Sequence, residues 1–106
     1  MVFLRNGVRQ MEVKLVIKLK SLLEGSYKFI KGKYLQTPNG EITSIPGENE
    51  RDAIILTYAG HNISVYKDKG KIYIQSNNWD KYLKDGKELA KWLTKMKYKY
   101  LGIDNR

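Results

Sequence analysis

The chain contains no cysteine, and only one histidine and two prolines stand among its 106 residues. The absence of cysteine excludes disulfides, thiolate nucleophiles, zinc ribbons and iron–sulfur clusters. Chains without disulfides are typical of reducing compartments. The sequence therefore predicts a domain that is stabilised by its hydrophobic core alone.

Long apolar segments are also missing. No apolar run approaches the length of a membrane-spanning helix. Arg5 and Arg9 interrupt the N-terminal stretch, so it lacks the apolar centre of a signal peptide. We therefore expect a cytoplasmic protein with no membrane partner.

Motifs that carry catalysis are absent as well. His61 lies between two turn-forming residues and has no nucleophile or carboxylate beside it. Glu48, Glu50 and Asp52 alternate in a polar loop, but their spacing matches no calcium-binding loop. The sequence has neither a phosphate-binding glycine loop nor a dinucleotide fingerprint. We expect no enzyme, no cofactor, no metal site and no small-molecule substrate.

Basic residues, by contrast, are abundant. Twenty Lys and Arg stand against eleven Asp and Glu, which gives a net charge of +9. Residues 81–99 hold seven of the lysines and only Asp85 and Glu88 as acids, so the charge is concentrated in the last quarter of the chain. Proteins with this balance attract phosphate backbones, anionic membranes or acidic proteins. Solubility alone also favours surface lysine, and this interpretation stays open.

The segment Trp79–Leu101 has the strongest periodicity. Its apolar residues recur at three- and four-residue steps, which predicts one amphipathic helix that ends at Gly102. Asp85 and Glu88 form a capping box for a helix that restarts near Gly86, but the unbroken apolar phase favours one kinked helix. The lysines that fall on its opposite face are Lys81, Lys84, Lys87, Lys91, Lys95 and Lys99.

Alternating segments before this helix predict strands. An Asn-Gly turn at residues 6–7 marks residues 1–10 as either an N-terminal hairpin or an extension. Gly32 is expected to form a bulge, and residues 37–40 a tight turn. The predicted strands are Met11–Lys20, Tyr27–Gln36, Glu41–Ile45, Ala53–Tyr58, Ile63–Lys67 and a segment that begins at Lys71.

One hairpin has a defined predicted register. If Lys69-Gly70 is a two-residue turn, the residues on its two sides pair directly. The expected pairs are Asp68 with Lys71, Tyr66 with Tyr73, and Val65 with Ile74. This register places both tyrosines on one face with Lys71, and Val65 with Ile72 and Ile74 on the other.

Together these patterns predict a single α+β domain over residues 1–106. Its sheet is largely antiparallel and meandering, and one long C-terminal amphipathic helix packs on it. Because the sheet needs the apolar face of the helix as cover, only the lysine face remains free for a partner.

Lysine and tyrosine alternate along much of the chain. Lysine neutralises phosphates and aromatic rings stack on bases, so this pattern favours binding of DNA or RNA. Cross-strand tyrosines also stabilise sheets without any ligand. The predicted nucleic-acid-binding residues are Lys84, Lys87, Lys91, Lys95, Tyr98, Tyr66, Tyr73 and Lys71, with supplementary contacts from Lys14, Lys18 and Lys20.

The alternative function is protein–protein interaction. A homodimer, or an accessory module such as those that viruses encode, would carry the same lysine face as a solvated surface. Strands such as Met11–Lys20 can pair edge to edge with a partner strand, and small sheets with one helix often dimerise.

Overall fold

The structure, a computed structural model, describes residues 26–106. Within this range the fold is α+β, as predicted, but it has two antiparallel sheets and one short helix. The predicted strand Met11–Lys20, the turn at residues 6–7 and the supplementary lysines lie outside the described residues. The elements are β1 Lys28–Ile30, β2 Tyr34–Gln36, β3 Ile42–Ser44, β4 Asp52–Tyr58, β5 His61–Asp68, β6 Lys71–Gln75, β7 Asp80–Leu83, α1 Gly86–Met96 and β8 Lys99–Asn105.

The smaller sheet is an antiparallel meander of β1, β2 and β3. The predicted bulge at Gly32 is wrong, because Lys31 and Gly32 have φ of 53° and 69° and reverse the chain between β1 and β2. The predicted turn at residues 37–40 is confirmed, since the Gly40 N–H donates to the Thr37 carbonyl at 2.9 Å. This turn follows β2 and lies near residues 97–100 in the folded chain.

The larger sheet has the strand order β7-β6-β5-β4-β8, with every neighbouring pair antiparallel. The predicted hairpin register is confirmed: Tyr66 lies opposite Tyr73 and Val65 opposite Ile74. Lys69 and Gly70 have φ of 54° and 75°, the left-handed values that a type I′ turn requires. The turn chemistry therefore fixes which face of this sheet is apolar.

The core lies between the larger sheet, the helix and the smaller sheet. Alternate residues of β4, β5 and β6 point inward, and Leu89 and Leu93 of α1 and Leu35 of β2 meet them, each fully buried. Burial of a side chain of this size contributes about 1.5–3 kcal/mol. The inward residues of the sheet are Ile54, Leu56, Ile63, Val65, Ile72 and Ile74.

The long helix predicted over Trp79–Leu101 is wrong, since α1 has only 11 residues. Its start is fixed by Asp85, whose extended backbone carries a side chain that accepts from the N–H groups of Lys87 and Glu88 at 3.1 and 3.0 Å. Asn77 and Asn78 precede β7 and do not cap the helix. Asp80–Leu83, assigned to the helix from sequence, pairs with β6.

The end of the helix is also earlier than predicted. Lys97 adopts a left-handed backbone with φ of 60°, and the N–H of Tyr98 donates to the Leu93 carbonyl at 3.2 Å. This is the hydrogen bond of a Schellman motif, which ends a helix. Gly102 lies inside β8 near the irregularity in its pairing with β4 and does not stop the helix.

Candidate nucleic-acid interface

Three lysines form a row along the exposed side of α1. Lys87, Lys91 and Lys95 follow one another at four-residue steps, which places them on one face of a helix. All three are exposed, whereas Leu89, Ala90 and Leu93 on the other side are buried. We call these three lysines the lysine ridge.

Lys84 lies two residues before the first residue of the helix. It is exposed and lies just before the cap residue Asp85. Its backbone N–H donates to a Glu88 carboxylate oxygen at 2.7 Å, so Glu88 acts as part of the cap. This contact fixes the segment that leads into the ridge.

A second predicted group lies on the larger sheet. The rings of Tyr66 and Tyr73 are 5.4 Å apart between centroids and meet edge to face. Tyr82, assigned to the helix from sequence, continues the row because β7 pairs beside β6, and its ring lies 4.8 Å from that of Tyr73. Each such pair contributes about 0.5–1.5 kcal/mol beyond burial. We call these three residues the tyrosine row.

Carboxylates accompany the tyrosine row. The hydroxyl of Tyr73 donates to Asp80 at 2.9 Å and that of Tyr82 donates to Asp68 at 2.7 Å. The Asp68 hydrogen bond raises the pKa of Tyr82 to about 12, and the Asp80 hydrogen bond raises the pKa of Tyr73. In return, the Tyr82 hydroxyl lowers the pKa of Asp68. The row is therefore a hydrogen-bonded surface with negative charge beside it.

One end of the row is covered by Arg106. Its guanidinium lies 3.8 Å from the centroid of the Tyr66 ring and donates to the carbonyls of Gly47 and Glu48 at 3.0 and 2.9 Å. Lys71, the predicted basic neighbour, is exposed at the start of β6, opposite Asp68. Positive and negative groups are thus mixed on this face.

The lysine ridge and the tyrosine row lie on opposite sides of the larger sheet. Val65 points into the core that Leu89 and Leu93 of the helix share, and the next residue, Tyr66, points the other way. The predicted nucleic-acid-binding residues include members of both groups. The structure separates them, so one flat contact surface cannot include both.

The predicted position of Tyr98 on the lysine face is wrong because the helix ends before it. Its side chain is only 7% exposed and stacks on Trp92, with ring centroids 5.2 Å apart and planes at 26°. Burial raises the pKa of its hydroxyl. Tyr98 is a core residue, not part of an exposed face.

A cavity that sequence reasoning missed lies beside the end of the helix. Its volume is about 600 Å³. It opens between the turn at residues 37–40 and the segment 97–100, which approach each other only in the folded chain. Lysine and tyrosine alternate at residues 97–100, which is typical of a strand. The apolar residues of this segment also continue the helical spacing of the residues before it, and that spacing favoured a helix. The lining residues are Tyr27, Thr37, Pro38, Asn39, Lys97, Tyr98, Lys99 and Tyr100.

The described residues hold neither a metal-binding cluster nor a membrane-spanning helix. Among residues 26–106 no group of three His, Cys, Asp or Glu side chains is placed to hold a metal ion. No helix in that range is long and apolar enough to cross a membrane.

Comparison with protein-family models, with curated proteins and with solved structures found no match to this chain.

Proposed function

We propose that this protein is a non-catalytic nucleic-acid-binding protein that contacts the phosphate backbone through the lysine ridge and Lys84. The observation that supports this proposal most directly is that the two sides of α1 differ in burial and charge. Its apolar side is buried in the core, while Lys87, Lys91 and Lys95 form one exposed basic side. Lysines arranged in this way bind phosphates without reading sequence.

The spacing of the ridge suits a backbone. Residues four apart on a helix are about 6 Å apart along the axis, so the ridge is about 12 Å long. Successive phosphates of one DNA strand are about 3.4 Å apart along the duplex axis. The ridge therefore extends along about three to four phosphate intervals of one strand, so each of its three charges has a phosphate within reach.

The distribution of acids favours the ridge over the tyrosine row as the phosphate contact. Asp68 and Asp80 accept hydrogen bonds from the tyrosine row and carry negative charge on that face. A phosphate brought to this face would meet like charges, which are destabilising. The ridge has only Glu88 as an acid on its helix, and this side chain is engaged in the cap.

Fluorescence anisotropy with labelled 12-residue single-stranded DNA, duplex DNA and RNA at low salt tests this proposal. The variant Lys87→Gln with Lys91→Gln should lose at least tenfold in affinity. The matched control is Lys67→Gln with Lys71→Gln, which removes the same charge from exposed positions of the β5–β6 hairpin. Absence of binding to all three probes, or equal losses in both variants, would contradict the proposal.

A second candidate function is homodimerisation through β8. This strand is at the edge of the larger sheet as described in residues 26–106, and Leu101 and Ile103 on it are 52% and 43% exposed. An edge strand with apolar side chains is a template for strand addition. Light scattering after size-exclusion chromatography distinguishes the two: a stable dimer without nucleic-acid affinity supports this alternative.

The proposed function places the protein in the cytoplasm, without an enzymatic role. Nucleic acid is present there, and the cysteine-free sequence suits a reducing compartment. A nuclease assay with and without Mg²⁺ tests the absence of an enzymatic role, and we expect the probe strand to remain intact under both conditions.

A further inference from the structure

The cavity beside the end of α1 has a floor that is held in place by contacts from distant parts of the chain. The Tyr27 hydroxyl donates to the Tyr98 carbonyl at 2.5 Å, and the Tyr27 N–H donates to Thr94 Oγ1 at 2.8 Å. Tyr98 in turn stacks on Trp92. A floor fixed in this way costs little to order when a ligand enters.

The walls of the cavity carry groups that recognise a flat heteroaromatic ring. Tyr100 and Pro38 both line the cavity, and both are half-buried. The Thr37 hydroxyl donates to Asn39 Oδ1, which orients the Asn39 amide and leaves its NH₂ group to donate. Nucleobases present carbonyl and ring-nitrogen acceptors at their edges.

The rim of the cavity is basic. Lys97 and Lys99 line it and are exposed. Lys95, the last member of the lysine ridge, precedes Lys97 by two residues, so a backbone that follows the ridge reaches the cavity mouth. Apolar rings inside and ammonium groups outside match a base attached to a phosphate.

We propose that this cavity receives one unstacked base of a single-stranded nucleic acid whose phosphates lie on the lysine ridge. This inference rests on the proposed function and narrows it, because a base inside a duplex is stacked and cannot enter. Tyr100 provides the stacking surface, Asn39 donates to the edge of the base, and Lys97 and Lys99 contact its phosphate. The protein therefore prefers single strands to duplexes.

Three DNA probes of equal length test the inference: a strand of twelve thymidines, a twelve-residue abasic strand, and a twelve-base-pair duplex. The abasic strand keeps the phosphates and lacks the bases. We expect the thymidine strand to bind about tenfold more tightly than the abasic strand, a ratio that corresponds to ~1.4 kcal/mol and lies within the range for one stacked base. It should also bind more tightly than the duplex.

Variants assign this preference to the cavity. Tyr100→Leu should bring the ratio between the two single strands close to one while the affinity for the abasic strand is unchanged, and Tyr100→Phe should retain the ratio. The matched control is Tyr73→Leu, because Tyr73 is a half-buried residue of the tyrosine row. Circular dichroism identifies a variant that fails to fold. If Tyr100→Leu does not fold, Lys99→Gln replaces it, and this change at an exposed position should lower the affinity for the thymidine strand.

A spectroscopic measurement reports on the same cavity without any cavity substitution. In a Trp79→Phe protein, Trp92 is the remaining tryptophan and stacks directly on Tyr98 in the cavity floor. The thymidine strand should quench its emission and the abasic strand should not.

The results with these probes and variants distinguish the cavity proposal from the proposal of backbone binding. If the thymidine and abasic strands bind equally well, the cavity proposal is wrong and backbone binding stands. If Tyr73→Leu removes the preference and Tyr100→Leu does not, the base lies on the tyrosine row and the cavity proposal is again wrong. If no probe binds, both proposals are wrong.

Discussion

The Phe29 ring of β1 lies directly against Gly86, the first residue of α1. A Cβ atom placed on Gly86 would overlap three carbons of that ring. The absence of a side chain at Gly86 therefore lets the β1–β2 hairpin pack on the first turn of the helix. This contact orients the helix and, with it, the lysine ridge.

Gly86→Ala should destabilise the protein by about 1–3 kcal/mol, because the added methyl group forces Phe29 or the helix to move. Urea unfolding followed by circular dichroism measures the change in the free energy of unfolding. Gly47→Ala is the control, since its added Cβ meets no atom closer than 4.0 Å. Equal stability of Gly86→Ala and the wild type would show that the hairpin does not pack on the helix in this way.

Lys97→Gly should stabilise the protein by up to about 1 kcal/mol. Lys97 has φ of 60°, a backbone conformation that costs a residue with a Cβ about 1–2 kcal/mol, although the freer unfolded chain of a glycine variant offsets part of the gain. Lys95→Gly, two residues earlier inside the helix, should lose about 1 kcal/mol. The same sign for both changes in urea unfolding would contradict the assigned end of the helix.

Tyr27 should make the stability fall at high pH. Burial raises the pKa of its hydroxyl to about 12, although a hydrogen bond from the Tyr100 backbone opposes the shift; an exposed tyrosine has a pKa near 10. Below pH 10 both states keep the proton and the stabilisation is complete. Between pH 10 and 12 the unfolded state releases the proton first, so stability falls with rising pH.

The loss should amount to roughly 1 kcal/mol at pH 11. Comparison of the wild type with Tyr27→Phe, by urea unfolding between pH 8 and pH 11, isolates this contribution from other titrating groups. The variant should be less stable at pH 8, because it lacks the hydrogen bond to the Tyr98 carbonyl. The difference in the free energy of unfolding between the two proteins should become smaller as pH rises. A constant difference would contradict the assignment.

Local turn chemistry made the β5–β6 hairpin predictable. Lys69-Gly70 selects a two-residue turn, and that turn fixes the partner of every residue on both sides, including Tyr66 opposite Tyr73. The buried strand β4 was predictable for a similar reason, since its continuous apolar run indicated cover on both faces.

The helix bounds were less predictable because two periodicities overlap near its ends. Tyr82 suits both a helix and a strand, and only pairing with β6 decides. The capping box at Asp85 and Glu88 carried the correct start, but the longer apolar phase outweighed it. Lys97 gives no sequence signal for a left-handed residue, because glycine is usual at that position.

The candidate site was only partly predictable. Lys87, Lys91 and Lys95 share a helix face whichever helix bounds are chosen, so the ridge was found from spacing alone. The cavity depends on tertiary contacts between Tyr27, residues 37–39 and residues 97–100, which no local pattern brings together.

The most direct test of backbone binding is the salt dependence of affinity for the thymidine strand. A single strand held by the ridge, Lys84 and one or two cavity lysines should give a slope of log K against log salt of about −3.5 to −4. Lys87→Gln with Lys91→Gln should make the slope less steep by about 1.4, while Lys67→Gln with Lys71→Gln should leave it unchanged. A slope near zero, or one that the ridge variant does not alter, would contradict binding through the lysine ridge.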